Sequence, residues 1–501
     1  MNGPLYIAVD LGAGSGRVFL AGFDDKLLLD EVHRFRYPPY FDGQYLRWNF
    51  QSIFDEIKLG LRAAGVKAST LGRQIESIGV DSWAVDYGLV STYGKLVADP
   101  ICYRDSRTDE AMTSVFGIVP RDEIFDKTGI QFQKFNTLYQ LFSECRGIEN
   151  ASMLLLLPDL INYLLTGKAA TEYTNATTTQ MVNARTGDWD VDLIDRLGLS
   201  RRLLRDIIPA GTQLGTLLPE IAGDVGLDDV AVIAPATHDT ASAVAATPLS
   251  AGSAYISSGT WSLIGIERDT PLITPDAAQL NFTNEGGVYN TFRFLKNVMG
   301  LWIFESCRNE WAKHVNSVEY DDLIRDASAI DGFPGFIFPD DERFLNPESM
   351  LDSINTQLSE TGQQTQTRAA IVTKIIFDSL AFRYASVLRS IESLTNSKLS
   401  GIEIVGGGGR NRYLNQSTAN ATGLPVRSGL TEATVIGNVL VQAISSGRFE
   451  SLAEARSYIA SKIEFESFAP QTVPDFAEAE SRYLAIEEHF RIKPTGQVAA
   501  K

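Results

Sequence analysis

A strand, a tight turn of small residues and a second strand occur twice in this chain, and this repeat restricts the folds available to it. The first copy joins the apolar residues 5–9 and 17–22 through Gly12-Ala13-Gly14-Ser15-Gly16. The second copy joins residues 254–257 and 261–266 through Ser258-Gly259-Thr260. A hairpin that is repeated in this way predicts two similarly built lobes.

The length of the chain supports two domains, because 501 residues exceed the roughly 250–300 residues that one hydrophobic core can serve. Strands and helices alternate after the first hairpin, which is typical of an α/β fold. We predict strands at residues 27–35, 75–80 and 402–405, a helix capped by Asn49, a long helix around 376–391, and a final helix at about 432–444. The predicted domains are residues 1–246 and 247–470, followed by a helix and tail at 471–501.

Charge and cysteine content exclude several classes of protein. The net charge of −18 would repel a polyanion, so we expect neither nucleic acid nor an acidic membrane surface as a partner. Three cysteines without CxxC spacing argue against a disulfide framework and fit the cytoplasm. The N-terminus does not resemble a signal peptide. The apolar stretch 153–165 is too short and too polar to span a bilayer and is predicted to be a buried helix.

The first turn has the residue types of a phosphate-binding loop. Its glycines allow backbone N–H groups to approach phosphate oxygens, while Ser15 adds a hydroxyl and Arg17 a cation. Asp10 would repel a polyphosphate unless Mg²⁺ lay between them, so it indicates a metal held through water. A plain hairpin turn is the alternative interpretation. Neither a GxGxxG nor a P-loop sequence is present.

Three further segments carry possible chemistry. Ser257 to Ser262 could be a second phosphate loop or an ordinary turn. Gly406 to Gly409 follow a strand and could lie flat against adenosine or form a flexible loop. In Ala236-Thr237-His238-Asp239-Thr240, the carboxylate of Asp239 could accept a proton from a hydroxyl or could cap the helix 240–246.

Taken together and in this order, the motifs resemble those of the FGGY carbohydrate kinases, which have the two-lobed actin/hexokinase/Hsp70 fold with an active site in the interdomain cleft. The resemblance extends to about residue 465. The first and second turns resemble the family's two phosphate motifs, and Gly406 to Gly409 its adenosine motif. Tyr103-Arg104-Asp105-Ser106-Arg107 resembles its W-x-D-x-R segment, with tyrosine in place of tryptophan.

Within the family, the chain most resembles the rhamnulokinase branch, with the fuculokinases as the next alternative. The segments that carry this resemblance are residues 80–86 (VDSWAVD), 237–240 (THDT), 281–286 (NFTNEG) and 296–302 (KNVMGLW). The resemblance implies transfer of phosphate from ATP to L-rhamnulose, giving the 1-phosphate. It also implies a small sugar as partner and a monomer or homodimer as the assembly.

The resemblance also implies roles for individual residues. It makes Asp239 the catalytic base and Asp10 the Mg²⁺ residue, acting through water. The residues implied near the sugar are Ala84, His238, Asp239, Thr240 and Asn297. Those implied near ATP are Ala13, Gly14, Ser15, Gly16, Arg17, Thr260, Glu305 and Gly408. Ala84 stands where the branch can carry glycine, and Glu305 where glutamine is expected.

Other protein classes fit the sequence less well. A chaperone or filament protein of the same fold would need a peptide-binding module or an assembly surface, and no such extra module is apparent. A dehydrogenase would need GxGxxG with an acidic residue about 20 positions later. A sugar sensor without activity would be expected to lack the base, whereas Asp239 is present.

Overall fold

The structure is a computed structural model that describes residues 3–144, 148–313 and 319–492. The predicted tail at 494–501 lies outside these ranges. The chain divides into two compact units that alternate along the sequence. Unit 1 comprises Met1–Pro248, Glu267–Leu295 and Glu432–Ile463, and unit 2 comprises Leu249–Ile266, Lys296–Thr431 and Glu464–Lys501. The domain boundaries given above stay a prediction.

The strands in the described ranges are numbered along the chain. They are β1 (Leu5–Gly12), β2 (Ser15–Phe23), β3 (Leu27–Arg36), β4 (Tyr40–Phe41), β5 (Leu46–Arg47), β6 (Ile75–Ser82), β7 (Tyr87–Ser91), β8 (Ala151–Leu156), β9 (Thr171–Glu172), β10 (Ile207–Ile208), β11 (Thr212–Thr216), β12 (Ala231–Ala234), β13 (Ser253–Ser258), β14 (Trp261–Arg268), β15 (Thr283–Gly286), β16 (Phe292–Met299), β17 (Gly401–Val405), β18 (Val426–Ser428) and β19 (Glu466–Phe468).

The α-helices are numbered in the same way. They are α1 (Phe50–Thr70), α2 (Ala111–Phe116), α3 (Arg121–Thr128), α4 (Thr137–Ser143), α5 (Leu157–Thr166), α6 (Tyr173–Ala176), α7 (Val191–Arg196), α8 (Pro219–Val225), α9 (Asp239–Ala246), α10 (Pro275–Gln279), α11 (Trp302–Ala312), α12 (Tyr320–Ser328), α13 (Met350–Glu360), α14 (Ala369–Thr395), α15 (Arg412–Thr422), α16 (Ala433–Ser445), α17 (Leu452–Lys462) and α18 (Phe476–Ile492). Short 3-10 turns lie at Ser106–Thr108, Ile148–Asn150, Thr177–Thr179, Arg201–Leu203, Glu342–Phe344 and Gly407–Arg410.

The main sheet of unit 1 is built around the first hairpin. Its strand order is β3-β2-β1-β6-β12-β11. Strand β1 pairs antiparallel with β2 on one side and parallel with β6 on the other. Strand β12 continues parallel to β6, and β11 closes this edge antiparallel to β12. The carboxyl ends of β1 and β6 therefore lie side by side.

Unit 2 repeats this plan around the second hairpin. Its strands follow the order β16-β14-β13-β17-β18-β19. Strand β13 is antiparallel to β14 and parallel to β17, which is parallel to β18 and followed by antiparallel β19. The first residues of β16, Phe292 to Leu295, pair with β15 within unit 1. The predicted α/β class and the repeated hairpin are both confirmed.

The core of unit 1 lies between the sheet and α1. Alternate residues of β1, including Ile7 and Val9, are fully buried in the same cluster as the apolar face of α1. Helix α1 begins directly after Asn49, whose side chain accepts a hydrogen bond from Ser52 N at 3.1 Å. This confirms the predicted cap, which satisfies a backbone donor that the first turn leaves unpaired.

Helix α16 is fixed to the sheet of unit 1 by buried amides. Gln442 Nε2 donates to Ile7 O at 3.0 Å, and its Oε1 accepts from Ser77 Oγ at 2.7 Å. Asn438 Nδ2 donates to Gly79 O at 3.2 Å. These bonds satisfy polar groups that would be costly to bury unpaired, and they set where the helix lies against β1 and β6.

Two predicted elements differ from the structure. Residues 153–165 are not one helix: β8 ends at Leu156, and α5 begins at Leu157 with Pro158 in its first turn. A short apolar run does not distinguish a strand from a helix by periodicity, and Pro158 is tolerated only in the first turn of a helix. The helix predicted at 432–444 is α16, and it is not the final helix: α17 follows it, and α18 lies within the range 471–501 that was predicted to hold a helix and tail. Within the described ranges, no helix has both the length and the apolar character needed for a membrane crossing.

The packing of α16 against α9 gives a first prediction. A Cβ atom added at Gly437 would lie 1.7 Å from Ser242 O, a backbone atom of α9. Gly437→Ala should therefore lower the free energy of unfolding by about 1–3 kcal/mol, as overpacking does. The matched control is Gly223→Ala in α8, where the added Cβ meets nothing within 4 Å. That variant should be neutral or up to ~1 kcal/mol more stable, because alanine favours helix. Equal losses in urea unfolding of both variants would contradict the close packing.

Candidate active site

The first hairpin turn is closed by a tyrosine that directly follows β3. Gly12 pairs with Ser15, which leaves Ala13 and Gly14 at the tip. Gly14 has φ 151°, in the range that favours glycine. Tyr37 Oη donates to Gly12 O at 2.6 Å and to Ser15 O at 2.9 Å. Two carbonyl groups of the turn thus point toward Tyr37, and these bonds hold the half-exposed tip, Ala13 and Gly14, in one conformation.

Arg17 links two carboxylates beside this turn. It lies opposite Asp10 in the β1–β2 ladder and forms a hydrogen-bonded ion pair with its carboxylate. Its second terminal nitrogen donates to Glu432 Oε2 at 2.5 Å. Of the guanidinium side chain, 21% remains exposed. Arg17 therefore offsets the charge of Asp10 and keeps an exposed edge, while its predicted contact with ATP stays a prediction.

A second buried carboxyl group lies beside Asp10. The parallel β1–β6 register pairs Asp10 with Asp81, which is completely buried. Asp81 Oδ2 accepts from Asn438 Nδ2 at 2.5 Å, whereas Oδ1 has no hydrogen-bond partner and is closed to solvent. Burial raises the pKa of Asp81 well above its usual value, and the nearby charges of Asp10 and Asp239 raise it further. The surroundings of Asp81 therefore favour its protonated form.

Asp239 is the third carboxylate of this cluster. The first residue of α9 is Asp239 itself, and the capping position belongs to His238, whose side chain makes no capping bond. The alternative that Asp239 caps the helix is therefore wrong. Its Oδ1 accepts from Thr240 N at 2.5 Å and from Thr240 Oγ1 at 3.1 Å. The side chain keeps 31% of its surface exposed, so a substrate can reach it.

The environment of Asp239 suits a general base. Burial raises the pKa of Asp239 to about 7, and the charge of Asp10 acts in the same direction. The hydrogen bonds from Thr240 oppose this shift only in part. A carboxyl group with a pKa near the working pH combines a useful ionised fraction with a strong tendency to accept a proton.

The segment that carries Asp239 is held from two sides. Ser82 N donates to Thr237 O at 2.9 Å, and Ser82 forms a parallel bridge with His238. On the other side, Glu172 Oε2 accepts from Thr237 N at 3.0 Å and from Thr237 Oγ1 at 2.9 Å. Glu172 is fully buried. Sequence reasoning did not find it, because it is 65 residues from its partner.

Ala84 lies beside a strained residue. Val85 has φ 69°, which is rare for a β-branched side chain and costs of order 1–3 kcal/mol. The next residue, Asp86, anchors this turn: its Oδ2 accepts from Trp48 Nε1 at 2.7 Å and from Trp83 Nε1 at 3.0 Å. Backbone strain of this kind persists where surrounding bonds determine the conformation, and it is frequent at ligand sites. The structure thus brings Ala84 to the end of β6, near the segment of His238.

In unit 2, the second hairpin turn is bound to the start of α11. Gly300 N and Trp302 N donate to Thr260 O at 3.1 Å and 3.2 Å, and Leu301 N donates to Gly259 O at 3.0 Å. Thr260 itself is exposed. The carbonyl groups of this turn are again engaged by the protein, as in the first hairpin.

The glycine run after β17 packs against this second turn. A Cβ atom added at Gly408 would lie 2.1 Å from Ser258 Oγ, and Gly406 has φ 84°. Both positions therefore require glycine. Gly407–Arg410 is a 3-10 turn, so the run is an ordered backbone segment and the flexible-loop interpretation is wrong.

Glu305 and Asn297 complete the predicted residues of unit 2. Glu305 lies in the first turn of α11, and its Oε2 accepts from Arg308 at 2.7 Å and 3.0 Å. Its charge is thus paired with the guanidinium group of Arg308, and its predicted place near ATP stays a prediction. Asn297 is half-buried on β16.

The predicted residues are thus divided between the units. Unit 1 brings together the first turn, Asp10, Ala84 and residues 238–240, and unit 2 brings together Thr260, Glu305 and Gly408. Sequence reasoning missed Asp81 and Glu172 as parts of the site. Of these, Asp81 gave a local signal, since it lies near the end of a buried strand as Asp10 does.

Comparison with known proteins identifies the lineage of both halves. Residues 5–246 match the N-terminal domain of the FGGY family of carbohydrate kinases, and residues 254–446 match the C-terminal domain of that family. The two matches together cover most of the chain.

Curated relatives are similar over nearly their whole length. The chain is 41% identical to the rhamnulokinase of Oceanobacillus iheyensis, over 93% of this chain and 98% of the relative. It is 40% identical to the rhamnulokinase of Bacteroides thetaiotaomicron, over 97% of this chain and 98% of the relative. The fold is similar to that of a ligand-bound xylulose kinase from Lactobacillus acidophilus, with a TM-score of 0.77, 16% identity and coverage of 97% and 98%.

The Asp10–Asp81 pair predicts a pH-dependent stability difference. In the unfolded chain the pKa of Asp81 should be near its usual value of about 3.9. Its folded pKa is higher, so the stability it contributes is complete below about pH 4 and is lost as the pH rises toward the folded pKa. Asp81→Asn imitates the protonated group and removes this dependence. The free energy of unfolding of the wild type, relative to Asp81→Asn, should therefore fall between about pH 4 and neutrality, by up to ~1.4 kcal/mol per pH unit.

Chemical unfolding of both proteins at pH 4.5, 5.5 and 7 measures this difference. Asp81→Leu serves as the control that lacks the hydrogen bond with Asn438, and it should be less stable than Asp81→Asn at every pH. Parallel curves for the wild type and Asp81→Asn would show that Asp81 is ionised in the folded protein.

Proposed function

Because the chain belongs to the FGGY family of carbohydrate kinases, we propose that it transfers the γ-phosphoryl group of ATP to O1 of L-rhamnulose. The observation that carries the proposal is Asp239, an accessible carboxylate whose pKa is raised to about 7 at the start of α9. The proposed sugar is supported by relatives named rhamnulokinases that are about 40% identical over nearly the whole chain.

The proposed reaction needs one proton acceptor. Asp239 takes the proton of the sugar hydroxyl while the oxygen of that hydroxyl bonds to the γ-phosphorus. The bond between this phosphorus and the β–γ bridging oxygen breaks, and ADP leaves. Ala84, His238, Thr240 and Asn297 are proposed to orient the sugar. Fixed donors and acceptors of this kind favour reaction by holding the hydroxyl in one orientation.

The nucleotide is proposed to be bound by the two hairpin turns and the glycine run. Residues 13–17 are proposed to meet the phosphates through the small tip of the turn and the Arg17 cation, and Thr260 offers an exposed hydroxyl. Gly408 is proposed to present backbone to the adenosine, with Glu305 nearby as an ion-paired side chain. Turns with no bulky side chain allow such close approach to phosphate.

Mg²⁺ fits this site as a cation held through water. Within the described ranges, no group of three His, Cys, Asp or Glu side chains could hold a metal ion. Protein-bound Mg²⁺ commonly keeps several waters and uses one or two carboxylates with substrate phosphates. Asp10 supplies such a carboxylate, beside which burial and the charge of Asp10 raise the pKa of Asp239. When bound, the ion would offset charge on the transferred phosphoryl group.

Two further statements stay predictions. A cytoplasmic location is supported by Cys102 and Cys307, which are buried and form no disulfide. The assembly is predicted to be a monomer or a homodimer.

The function is tested by measuring ADP release with a panel of ketoses and polyols, followed by the best substrate with Asp239→Asn. L-rhamnulose should give the highest kcat/KM, ahead of L-fuculose, xylulose and glycerol. Asp239→Asn removes the proton acceptor and keeps a group that can accept the Thr240 hydrogen bonds. Its turnover should fall by about 10²–10⁴-fold, the usual contribution of a general base.

Unfolding midpoint and ATP affinity of Asp239→Asn provide the control, since both should stay close to those of the wild type. A preference for glycerol or xylulose would overturn the proposed sugar and leave phosphoryl transfer intact. Near-normal kcat in a well-folded Asp239→Asn enzyme would remove Asp239 from the mechanism.

A further inference from the structure

The ring of His238 is bonded to a buried arginine. Its Nδ1 lies 3.0 Å from an Nη atom of Arg293. A guanidinium group only donates hydrogen bonds, so Nδ1 must be the acceptor and must carry no proton. A neutral imidazole then carries its proton on Nε2. This atom is the one on the side of Asp239, 3.4 Å from Asp239 Oδ1.

Arg293 is itself fixed by the chain around it. Its side chain is completely buried, and Nε donates to Gly286 O at 2.9 Å. Gly286 N in turn donates to Thr177 Oγ1 at 2.8 Å. The same Nη2 that faces His238 lies 3.2 Å from Glu285 Oε2, which balances the buried charge. Strands β15 and β16 thus place one guanidinium nitrogen against the ring.

Glu285 is a competing partner for the same ring atom. Its Oε2 lies 3.5 Å from His238 Nδ1, farther away than the arginine nitrogen. Without Arg293, the carboxylate would favour a proton on Nδ1, because it can only accept hydrogen bonds when ionised. With Arg293 present, burial lowers the pKa of His238 well below its usual value, and the positive charge lowers it further.

We propose that Arg293, balanced by Glu285, is a positioning residue that fixes His238 as the neutral Nε2–H tautomer, which donates a hydrogen bond to the sugar hydroxyl oxygen on which Asp239 acts. The catalytic part of this statement rests on the proposed function. The tautomer itself does not.

The fixed tautomer directs the hydroxyl proton. A hydroxyl oxygen that accepts from Nε2–H has its own proton available for another acceptor, and Asp239 is that acceptor in this site. In the other neutral tautomer, with the proton on Nδ1, Nε2 would carry a lone pair and would compete with Asp239 for the hydroxyl proton. An imidazole in the wrong tautomer can abolish most of an enzyme's activity even when the geometry is retained.

The charged groups around the ring are few. Arg293 and Glu285 face it from β16 and β15, and Asp239 faces it from α9. Asp10 acts on Asp239 and so affects the ring only indirectly. This arrangement gives the segment 281–286, which had no role in the site, a function in setting the protonation of His238.

The tautomer can be measured in the protein without substrates. The chain has four histidines, so a sample with ¹⁵N-labelled histidine gives few signals, and His238→Asn identifies the one of interest. Long-range ¹H–¹⁵N correlation distinguishes the two neutral tautomers from imidazolium. We expect His238 to be the Nε2–H form with no change between pH 5.5 and 8. A wild-type His238 that is the Nδ1–H form, or that titrates near pH 6.5, would overturn the proposal.

Arg293→Met tests the cause of the tautomer. With the donor removed, the ring should carry a proton on Nδ1 toward Glu285 and should become imidazolium at the acidic end of the range. The double variant Arg293→Met/Glu285→Gln removes both charges, and its His238 should be neutral again. If Arg293→Met fails to fold, the wild type and the double variant still test the proposal. The proposal requires that Nδ1 of His238 carries no proton in the wild type, whatever the variants show.

Arg383→Met is the matched control for loss of a buried arginine. Arg383 is also buried and ion-paired, with Asp340 and Glu487 in unit 2. Its loss should leave the His238 signals unchanged.

For Arg293→Met, kcat/KM for the sugar should fall about 10–100-fold, as when the partner of a metal-bound histidine is removed, with the KM for ATP unchanged. Equal losses for sugar and ATP, or unchanged His238 signals in Arg293→Met, would contradict a positioning role.

Discussion

Buried negative charge at the ends of β1 and β6 is the constraint on which the rest of unit 1 depends. The parallel register places Asp10 beside Asp81, and the bridge from Ser82 to His238 brings Asp239 to the same place. Three carboxyl groups so close together cannot all ionise without a large cost. The protein responds in three ways: Arg17 pairs with Asp10, the pKa of Asp81 rises, and the pKa of Asp239 rises to about 7. The raised pKa of Asp239, the proposed base, is therefore a consequence of its burial and of the Asp10 charge that the strands place nearby.

The two units share a sheet plan but differ in what stands at the strand ends. In unit 2, the corresponding neighbours at the ends of β13 and β17 are Ser257 and Val405. That end has hydroxyl groups and glycine-dependent backbone contacts, and neither of these two neighbours carries a carboxylate. The carboxyl groups of the candidate site thus lie in unit 1, and unit 2 has a turn with little steric bulk. This division fits the proposed roles, in which the sugar is activated by unit 1 and unit 2 contributes a loop for the nucleotide.

Much of the local structure could be predicted from the sequence, because its signals are local. Glycine turns between apolar runs gave both hairpins, and Asn49 before a helical pattern gave the start of α1. The prediction of one helix at residues 153–165 was wrong. The chain changes from strand to helix at Leu157, and a continuous apolar run has no periodicity that would reveal this change. Asp81 could have been found by analogy with Asp10, as both follow buried apolar residues at the end of a strand.

The remainder of the site depends on contacts between distant segments, and no local pattern encodes them. Arg293 meets His238 across 55 residues, and Asn438 meets Asp81 across 357. Helix α16 belongs to unit 1 although it lies far beyond Pro248, where the first segment of that unit ends. Its sequence pattern alone does not predict this placement. Such contacts set protonation states in this site. The sequence therefore predicts Asp239 as a candidate base, and it does not predict the contacts that raise the pKa of that residue.

The most direct test of this account is the pH dependence of kcat/KM for L-rhamnulose, measured with both substrates far below saturation. This parameter reports the ionisation of groups in the enzyme before the substrate binds. If Asp239 is the base and its pKa is raised to about 7 by burial and by Asp10, then kcat/KM should fall about tenfold per pH unit below about pH 7. The residual activity of Asp239→Asn should lack this acid limb. A wild-type profile that stays level down to pH 5 would contradict the account, since the carboxylate would then ionise as an ordinary aspartate.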